Sequence, residues 1–329
     1  MYLNIRYMKL IILDTHDPYL NLATEEYLLE SSSDDIMMLW QNEPTVVIGK
    51  NQNAYAEINT EYTTEKGIHI ARRISGGGAV YHDLGNVNYT FISTKNENEI
   101  NFKTFTIPII DSLSNLGIQV ILSGRNDLEI DGKKISGNAQ HVRNNRVLHH
   151  GTLLFDSDLG ELSNALKVDP DKIKTKAIKS TRSRVTNLVD LLDNKMSVKE
   201  FINYIADFII TKYKAEYINA PQNESINKLA ERNKSHEWLY PESNFISQYT
   251  IKRKVKYDFG IVDIYLNMKN DTIIDIKIFG DFFGKRDIST LENTIKNHTR
   301  SSILNLEEII NISDFIYGMK SEQFLEQIK

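Results

Sequence analysis

The chain has 329 residues, of which 41% are apolar and 25% are charged. This composition is close to the globular average and excludes disordered, collagenous and coiled-coil chains. Lysine and arginine total 39 against 44 acidic residues, and the resulting net charge of −5 does not favour wholesale binding to nucleic acid or to an anionic membrane.

The N-terminal part of the chain alternates predicted strands with predicted helices. Asp17 is a predicted N-cap, with Pro18 at the first helical position and apolar residues at helical spacing behind it. Two short apolar runs follow, Ile36–Trp40 and 45–49, and the Gln-Asn-Glu-Pro sequence between them predicts a hairpin. Further strands are predicted at 68–73 and 87–94.

A core-facing helix is predicted next, because apolar residues recur every three or four positions from Phe102 onwards. Gly117 is placed to end this helix, and Pro108 should kink it or mark its true start. The dipeptide Asp131-Gly132 then predicts a hairpin with a type I′ turn, and another strand is predicted at 146–155.

The C-terminal half changes character twice. Residues 167–184 hold seven basic residues against two acidic ones and have no periodic apolar face, which predicts a mobile basic loop. Ser197 and Glu200 then form a capping box ahead of a helix. Around residues 241–245 the helical pattern gives way to alternating strands. We therefore predict two domains, residues 1–246 and 247–329.

The most distinctive motif is a glycine triplet, Gly76-Gly77-Gly78, that follows Arg72 and Arg73. Glycines allow backbone N–H groups to close round an anion, and the arginines would neutralise it. A flexible hairpin connection is the alternative. The motif is not a Walker A loop, since no Gly-Lys-Ser/Thr follows, and it does not open a helix as a dinucleotide fingerprint does. An anion site of another kind is indicated.

A second motif follows the type I′ turn, where Lys133 and Lys134 begin a strand. Alternation along the strand predicts that Lys134 and Ser136 share one face, with Ile135 on the other. A solvated lysine pair is the ordinary alternative. The small residues 137–139 favour close approach of a ligand instead.

A third motif, His149-His150-Gly151, suggests a metal site at first sight. No third Cys or His lies at ligand spacing, which disfavours that interpretation.

Together these motifs resemble the lipoate–protein ligase A family. The matching segments are RRxSGGGAVYHDxGN from Arg72, KISGNA from Lys134 and HGTLL from His150, in the family's order. The segments NLAxEE, PTVVIGKNQN and RSRVTNL agree as well. From about Ser247 the chain resembles the small accessory domain of the bacterial two-domain ligases.

The resemblance implies an α/β (α+β) fold, with a mixed-sheet catalytic domain of the biotin/lipoate-ligase kind and a smaller C-terminal α+β accessory domain. It also implies an enzyme that joins lipoate to ATP, releases pyrophosphate, and transfers the lipoyl group from lipoyl-AMP to a lysine. The implied acceptors are apo lipoyl domains of 2-oxoacid dehydrogenase E2 subunits or the glycine cleavage H protein. ATP in turn implies Mg²⁺.

The resemblance carries site residues over to matching positions. Lys134 is the implied catalytic lysine, touching lipoyl carboxylate and phosphate. The implied ATP and adenylate contacts are Lys134, Arg73, Gly78, Ala79, Val80 and Tyr81. The implied lipoate contacts are Lys134, Ser75, Gly76, Gly77, His82 and His150. Secondary candidates are Asn126, Asp127, also the candidate Mg²⁺ ligand, and Ser136. Trp40 and Val47 would either line a tunnel for the lipoyl tail or, as the ordinary alternative, belong to the core.

Several alternatives differ in chemistry. The absence of cysteine excludes an octanoyl or lipoyl transferase that works through a cysteine thioester. A transferase using preformed acyl-AMP and a biotin ligase both stay open. A non-enzymatic nucleic-acid-binding module built on the basic loop is opposed by the net charge and by the lack of aromatic residues in that loop.

The sequence also bears on location. The longest apolar runs fall far short of the ~18 residues that span a bilayer. The run after Arg6 and Lys9 is interrupted by Asp14 and is too short for a signal peptide. No membrane association is expected, and a cytoplasmic location is predicted.

Overall fold

The computed structural model describes residues 8–94, 100–167, 184–241, 246–299, 302–303 and 310–328. The predicted basic loop lies outside the described residues, apart from its two ends. The strands are β1 (Lys9–Ile12), β2 (Ile36–Trp40), β3 (Thr45–Ile48), β4 (His69–Arg72), β5 (Val80–His82), β6 (Asn86–Thr94), β7 (Ile121–Ser123), β8 (Asp127–Ile130), β9 (Lys133–Arg143), β10 (Arg146–Leu154), β11 (Glu216–Tyr217), β12 (Ile251–Tyr257), β13 (Gly260–Lys269) and β14 (Thr272–Gly280).

The helices connect and cover these strands. They are α1 (Pro18–Ser31), α2 (Ala54–Glu57), α3 (Thr60–Lys66), α4 (Phe102–Asn115), α5 (Leu159–Ala165), α6 (Val198–Tyr213), α7 (Glu224–Lys234), α8 (His236–Leu239), α9 (Ile288–Ile295) and α10 (Ser321–Ile328), with short 3₁₀ turns at Leu188–Leu191, Ile246–Gln248 and Ile312–Asp314.

The strands form three sheets. The largest is mixed and has the order β11-β1-β2-β6-β10-β9-β8-β7, while β4-β3-β5 and β12-β13-β14 are three-stranded. One face of the large sheet packs on α4 and α6 through the main apolar core, and the other face packs on α1. The third sheet has an apolar core of its own, shared with α9 and α10. The predicted α+β class is confirmed.

The helix caps and the turn that were predicted from neighbouring residues are present in the structure. Asp17 caps α1, and its side chain accepts hydrogen bonds from two backbone N–H groups. Asp131 and Gly132 both have positive φ, as a type I′ turn requires. The capping box at Ser197 is present at the start of α6. Helix α4 begins at Phe102 and continues through Pro108, so the proline does not mark its start.

The hairpin predicted between β2 and β3 is wrong. Strand β2 lies between β1 and β6 in the large sheet, whereas β3 lies between β4 and β5 in a different sheet. Every residue of both strands is buried. Each strand therefore needs sheet neighbours on both sides, and the residues between them carry the chain from one sheet to the other.

The segment that follows β14 packs directly against the glycine triplet. The Gly280 N–H donates to the Asn51 carbonyl at 2.8 Å, and the rings of Phe102 and Phe283 have centroids 5.3 Å apart. A Cβ on Gly76 would stand 2.2 Å from the Phe282 carbonyl oxygen, which only glycine avoids. The boundary at residues 246 and 247 stays a prediction.

Candidate active site

A cavity opens where the loop between β4 and β5, residues 73–79, faces the large sheet on its α1 side. Residues from distant segments of the chain meet here. The predicted site residues that line it are Arg73, Gly77, Gly78, Ala79, Val80, His82, Asn126, Lys134 and His150. Residues that were not predicted as contacts also line it: Leu22, Asn88, Gly137, Asn138, Ala139, Gly151 and Thr152.

The other predicted residues lie next to the cavity without lining it. Ser75 is fully buried behind the loop, and Gly76 packs on the backbone of Phe282 and Phe283, just after β14. The Tyr81 side chain packs in the apolar cluster on the far side of the small sheet. Asp127 is at the margin, paired with Lys134. Ser136 lies on the opposite face of the large sheet.

The predicted alternation around Lys134 is wrong because a β-bulge interrupts it. Lys134 is paired with Glu129 and Ser136 with Leu128, so Ile135 is an extra residue on β9. Ile135 and Leu128 both belong to the main core. The bulge therefore turns Ser136 towards the core and leaves Lys134 on the cavity side.

Lys134 is held at the mouth of the cavity. Its Nζ lies 2.8 Å from Asp127 Oδ1, and both side chains are about one-third exposed. A Cβ on Gly137 would stand 2.9 Å from that Nζ, so glycine makes room for the amino group. The Lys134 backbone N–H donates to the Arg184 carbonyl at 2.7 Å, which joins the C-terminal end of the basic stretch to this lysine.

Arg73 organises the glycine loop. It is buried, and burial lowers the pKa of its guanidinium to about 10. Four of its five N–H donors are used. Nη2 donates to the Gly76 and Gly78 carbonyls at 2.7 and 2.8 Å, Nη1 to the Val47 carbonyl at 3.1 Å, and Nε to Ser75 Oγ at 3.0 Å. Because a trans peptide directs its N–H opposite its C=O, the following N–H of Ala79 points away from the guanidinium.

The second arginine of the motif has a structural role. Arg72 donates from Nη1 to the carbonyls of Gly49, Lys50 and Gln52, and from Nη2 to that of Leu239. It does not line the cavity. The expectation that both arginines neutralise a bound anion is therefore wrong for Arg72.

His82 presents an unpaired donor. Asn21 Nδ2 donates to the Asn42 Oδ1 atom at 2.9 Å, so the Asn42 Nδ2 atom is the one that donates to His82 Nδ1, at 3.0 Å. Burial, followed by the charges of Arg73 and His150, lowers the pKa of His82 to about 3. The neutral ring therefore carries its proton on Nε2, and this buried atom has no partner among the described residues.

His150 connects the loop to a buried carboxylate that the sequence reasoning did not single out. Ser75 Oγ lies 2.7 Å from His150 Nε2, and His150 Nδ1 lies 3.0 Å from Glu25 Oε1. A serine, a histidine and a glutamate in this order resemble a nucleophilic triad. Ser75 is fully buried and its Oγ accepts from Arg73, so it is not available as a nucleophile.

The two adjacent histidines face opposite sides of the sheet. His149 stacks on Phe105 in the main core, with ring centroids 5.2 Å apart, whereas His150 lines the cavity. Burial lowers the pKa of His149 well below its usual value. The pair cannot bind one metal ion together.

One end of the cavity is apolar. Leu22, Trp40 and Val47 line it, and all three also belong to the core between α1 and the large sheet. Trp40 and Val47 therefore belong to the core and also line the cavity, and a contact with a lipoyl tail stays a prediction. The other end carries Lys134 and Asn126, so the cavity suits a molecule with an apolar tail and a charged head.

Comparison with known proteins identifies the family. Residues 17–210 match the lipoyl protein ligase A/B catalytic domain, and residues 247–328 match the bacterial lipoate protein ligase C-terminus. The chain is 42% identical to the lipoate-protein ligase LplJ of Bacillus subtilis (strain 168), over 95% of this chain and 97% of that protein. This chain belongs to the lipoate–protein ligase family. The resemblance noted in the motifs is thereby confirmed.

Several solved structures are similar to this ligase, over different shares of the chain. The crystal structure of P. falciparum LipL1 in complex with lipoate is 26% identical, with a TM-score of 0.80 and 98% of each chain covered. A lipoate-protein ligase A bound with ATP is 28% identical, with a TM-score of 0.61, over 71% of this chain and 98% of that one. The bi-partite ligase of Thermoplasma acidophilum, described with its E2 lipoyl domain, is 30% identical, with a TM-score of 0.63, over 71% and 96%.

A resident metal site is not built into the described part of the ligase. No group of three or more His, Asp or Glu side chains there is arranged to hold an ion. Asp127, the candidate Mg²⁺ ligand, is a single carboxylate that already pairs with Lys134. These residues do not fit a protein-held ion. As for membranes, none of the helices within the described ranges is long and apolar enough to cross a bilayer.

Proposed function

We propose that this ligase activates lipoate with ATP in the cavity described above and then transfers the lipoyl group to a lysine of an acceptor lipoyl domain. The observation that carries the proposal is the shape of one cavity. Its apolar end contains Leu22, Trp40 and Val47, and its polar end contains Lys134 and the glycine loop. Lipoate has an apolar tail and a carboxylate head, and this arrangement accommodates both.

The chemistry requires a protected, activated acid. A carboxylate does not acylate an amine directly, so a mixed anhydride with AMP must form and be shielded from water. A lysine ammonium with a pKa of about 10.4 also has to lose a proton before it attacks, which costs about 4.6 kcal/mol at pH 7. Lys134 supports both steps, because its cation stabilises phosphate charge and repels the incoming ammonium.

Other residues of the cavity shape the reactive end. Arg73 gives the loop its form and retains one Nη1 N–H for a ligand. The Nε2–H of His82 is a second donor, and a buried donor without a protein partner is a ready contact for a substrate oxygen. We assign these contacts to lipoyl-AMP.

Mg²⁺ enters the proposal with ATP and not as a resident ion. Mg²⁺ is usually held by one or two carboxylates together with substrate phosphates. Asp127 would supply a carboxylate near the cavity mouth, after exchanging its ion pair with Lys134.

The acceptor class rests on the relatives. The Thermoplasma ligase is described with an E2 lipoyl domain. We propose apo lipoyl domains of 2-oxoacid dehydrogenase E2 subunits, or the glycine cleavage H protein, as acceptors of this ligase. A cytoplasmic location stays a prediction.

ATP–pyrophosphate exchange tests the activation step. The purified protein is incubated with ATP and labelled pyrophosphate, and lipoate, octanoate and biotin are offered separately. We expect label to enter ATP when lipoate is present. Exchange with biotin alone would indicate a biotin ligase. Transfer from presynthesised lipoyl-AMP without any exchange would indicate a transferase that uses preformed acyl-AMP.

A further inference from the structure

The buried carboxylate of Glu25 is the end point of two hydrogen-bonded arms. Glu25 is 1% exposed and does not line the cavity. The first arm runs from Arg73 through Ser75 and His150, as described above. In the second arm Trp40 Nε1 donates to Thr90 Oγ1 at 2.9 Å, and Thr90 Oγ1 donates to Glu25 Oε1 at 2.5 Å.

The donor and the acceptor of most bonds in this network are fixed by chemistry. Tryptophan and arginine are donors only, and a carboxylate is an acceptor only. Thr90 Oγ1 therefore accepts from Trp40 and donates to Glu25, and Ser75 Oγ accepts from Arg73 Nε. His150 Nδ1 donates to Glu25, and His150 Nε2 forms the remaining hydrogen bond of the arm with Ser75 Oγ.

The two arms begin on different parts of the cavity wall. Trp40 belongs to the apolar end, together with Leu22 and Val47. Arg73 holds the carbonyls of Gly76 and Gly78 in the glycine loop, which forms another part of the wall. Glu25 is also the carboxylate whose charge acts on the buried Arg73. One acceptor thus fixes both Trp40 and the arginine that holds the glycine loop.

We propose that Glu25 is a positioning residue of the ligase, which sets Trp40 through Thr90 and sets Arg73 with its glycine loop through His150 and Ser75. The inference rests on the proposed function, because it assigns the apolar wall at Trp40 to lipoate and the glycine loop held by Arg73 to the nucleotide. Breaking one arm should weaken one substrate, and removing the shared acceptor should weaken both.

The chain offers a matched control at the next residue. Glu26 is on the same helix and is also buried, but its carboxylate pairs with Arg232, with Nη1 2.9 Å from Oε1, on the side away from the cavity. Glu26→Ala removes a buried carboxylate and an ion pair without touching either arm.

The experiment compares three variants with that control by ATP–pyrophosphate exchange and by thermal unfolding. Thr90→Val cuts only the Trp40 arm, and we expect its KM for lipoate to rise about tenfold while its KM for ATP stays within about twofold of wild type. Ser75→Ala cuts only the Arg73 arm and should show the reverse. Glu25→Ala removes the Oε1 atom on which both arms end and should raise both KM values about tenfold.

Glu26→Ala should keep both KM values within about twofold of wild type while lowering Tm. The proposal is overturned if Glu25→Ala behaves like Glu26→Ala, or if Thr90→Val and Ser75→Ala shift the two KM values alike. If Glu25→Ala does not fold, the opposite KM shifts of the two single-arm variants decide the matter alone. A wild-type protein without lipoate-dependent exchange would instead refute the proposed function.

Discussion

Replacing Lys134 with alanine should slow both adenylate formation and lipoyl transfer by about a thousandfold. Losing one donor aimed at developing charge costs about 2.7–4 kcal/mol. The variant also leaves Asp127, which lies 2.8 Å from Lys134 Nζ, as an unpaired anion beside the phosphate. In bulk water two like charges near 4 Å repel by about 1 kcal/mol, which is the lower limit for this partly buried site. The sum corresponds to roughly three powers of ten in rate.

Two assays separate the steps: pyrophosphate exchange reports adenylation, and presynthesised lipoyl-AMP with apo-acceptor reports transfer. The double variant Lys134→Ala/Asp127→Ala also lacks the unpaired Asp127 carboxylate, and its rate should be about fivefold higher than that of Lys134→Ala. Lys133 is the control, because it is exposed and paired with Ile130 on the other face of the hairpin. Lys134→Arg should recover little of the activity that Lys134→Ala loses, since a planar guanidinium does not replace a compact ammonium. Wild-type transfer by Lys134→Ala together with impaired transfer by Lys133→Ala would show that the wrong lysine was assigned.

Three further outcomes are expected. Gly78→Ala should raise the KM for ATP about tenfold with an unchanged Tm, because its Cβ would enter open space beside the cavity; a lowered Tm with normal kinetics would contradict this. In the folded protein burial lowers the pKa of His82 to about 3, so the residue stays neutral. In the unfolded chain it gains a proton below about pH 6.5. The free energy of unfolding should therefore fall by roughly 2 kcal/mol between pH 7 and pH 5 because of His82. Urea titrations of His82→Gln should show that much less loss, and an equal loss would refute the assignment. Iodoacetamide should leave activity intact, since the chain has no cysteine, and complete inactivation under mild alkylation would contradict the assigned roles.

Local rules were sufficient for the turns and caps of this ligase. The type I′ turn at Asp131 and the capping box at Ser197 each depend on a few neighbouring residues, and both were predicted correctly. The β2–β3 hairpin failed because strand pairing depends on distant segments. Two fully buried apolar strands look the same in sequence whether they pair with each other or with different sheets.

The candidate site was also predicted only in part, because some of its features depend on distant segments of the chain. The motifs identified Lys134, Arg73 and His150 as cavity residues, but not what each of them contacts. The bulge at Ile135 depends on pairing with β8, so strict alternation misplaced Ser136. Glu25 was part of a quoted motif without a role, because its partners come from residues far along the chain and only folding brings them together.

The most direct test is the intact mass of an acceptor. An apo lipoyl domain is incubated with the protein, lipoate, ATP and Mg²⁺, and the product is analysed by mass spectrometry with peptide mapping. We predict the addition of one lipoyl group to a single lysine, and no addition when ATP or lipoate is left out. Modification without ATP, or no modification while the acceptor is a substrate for another lipoate ligase, would contradict the account.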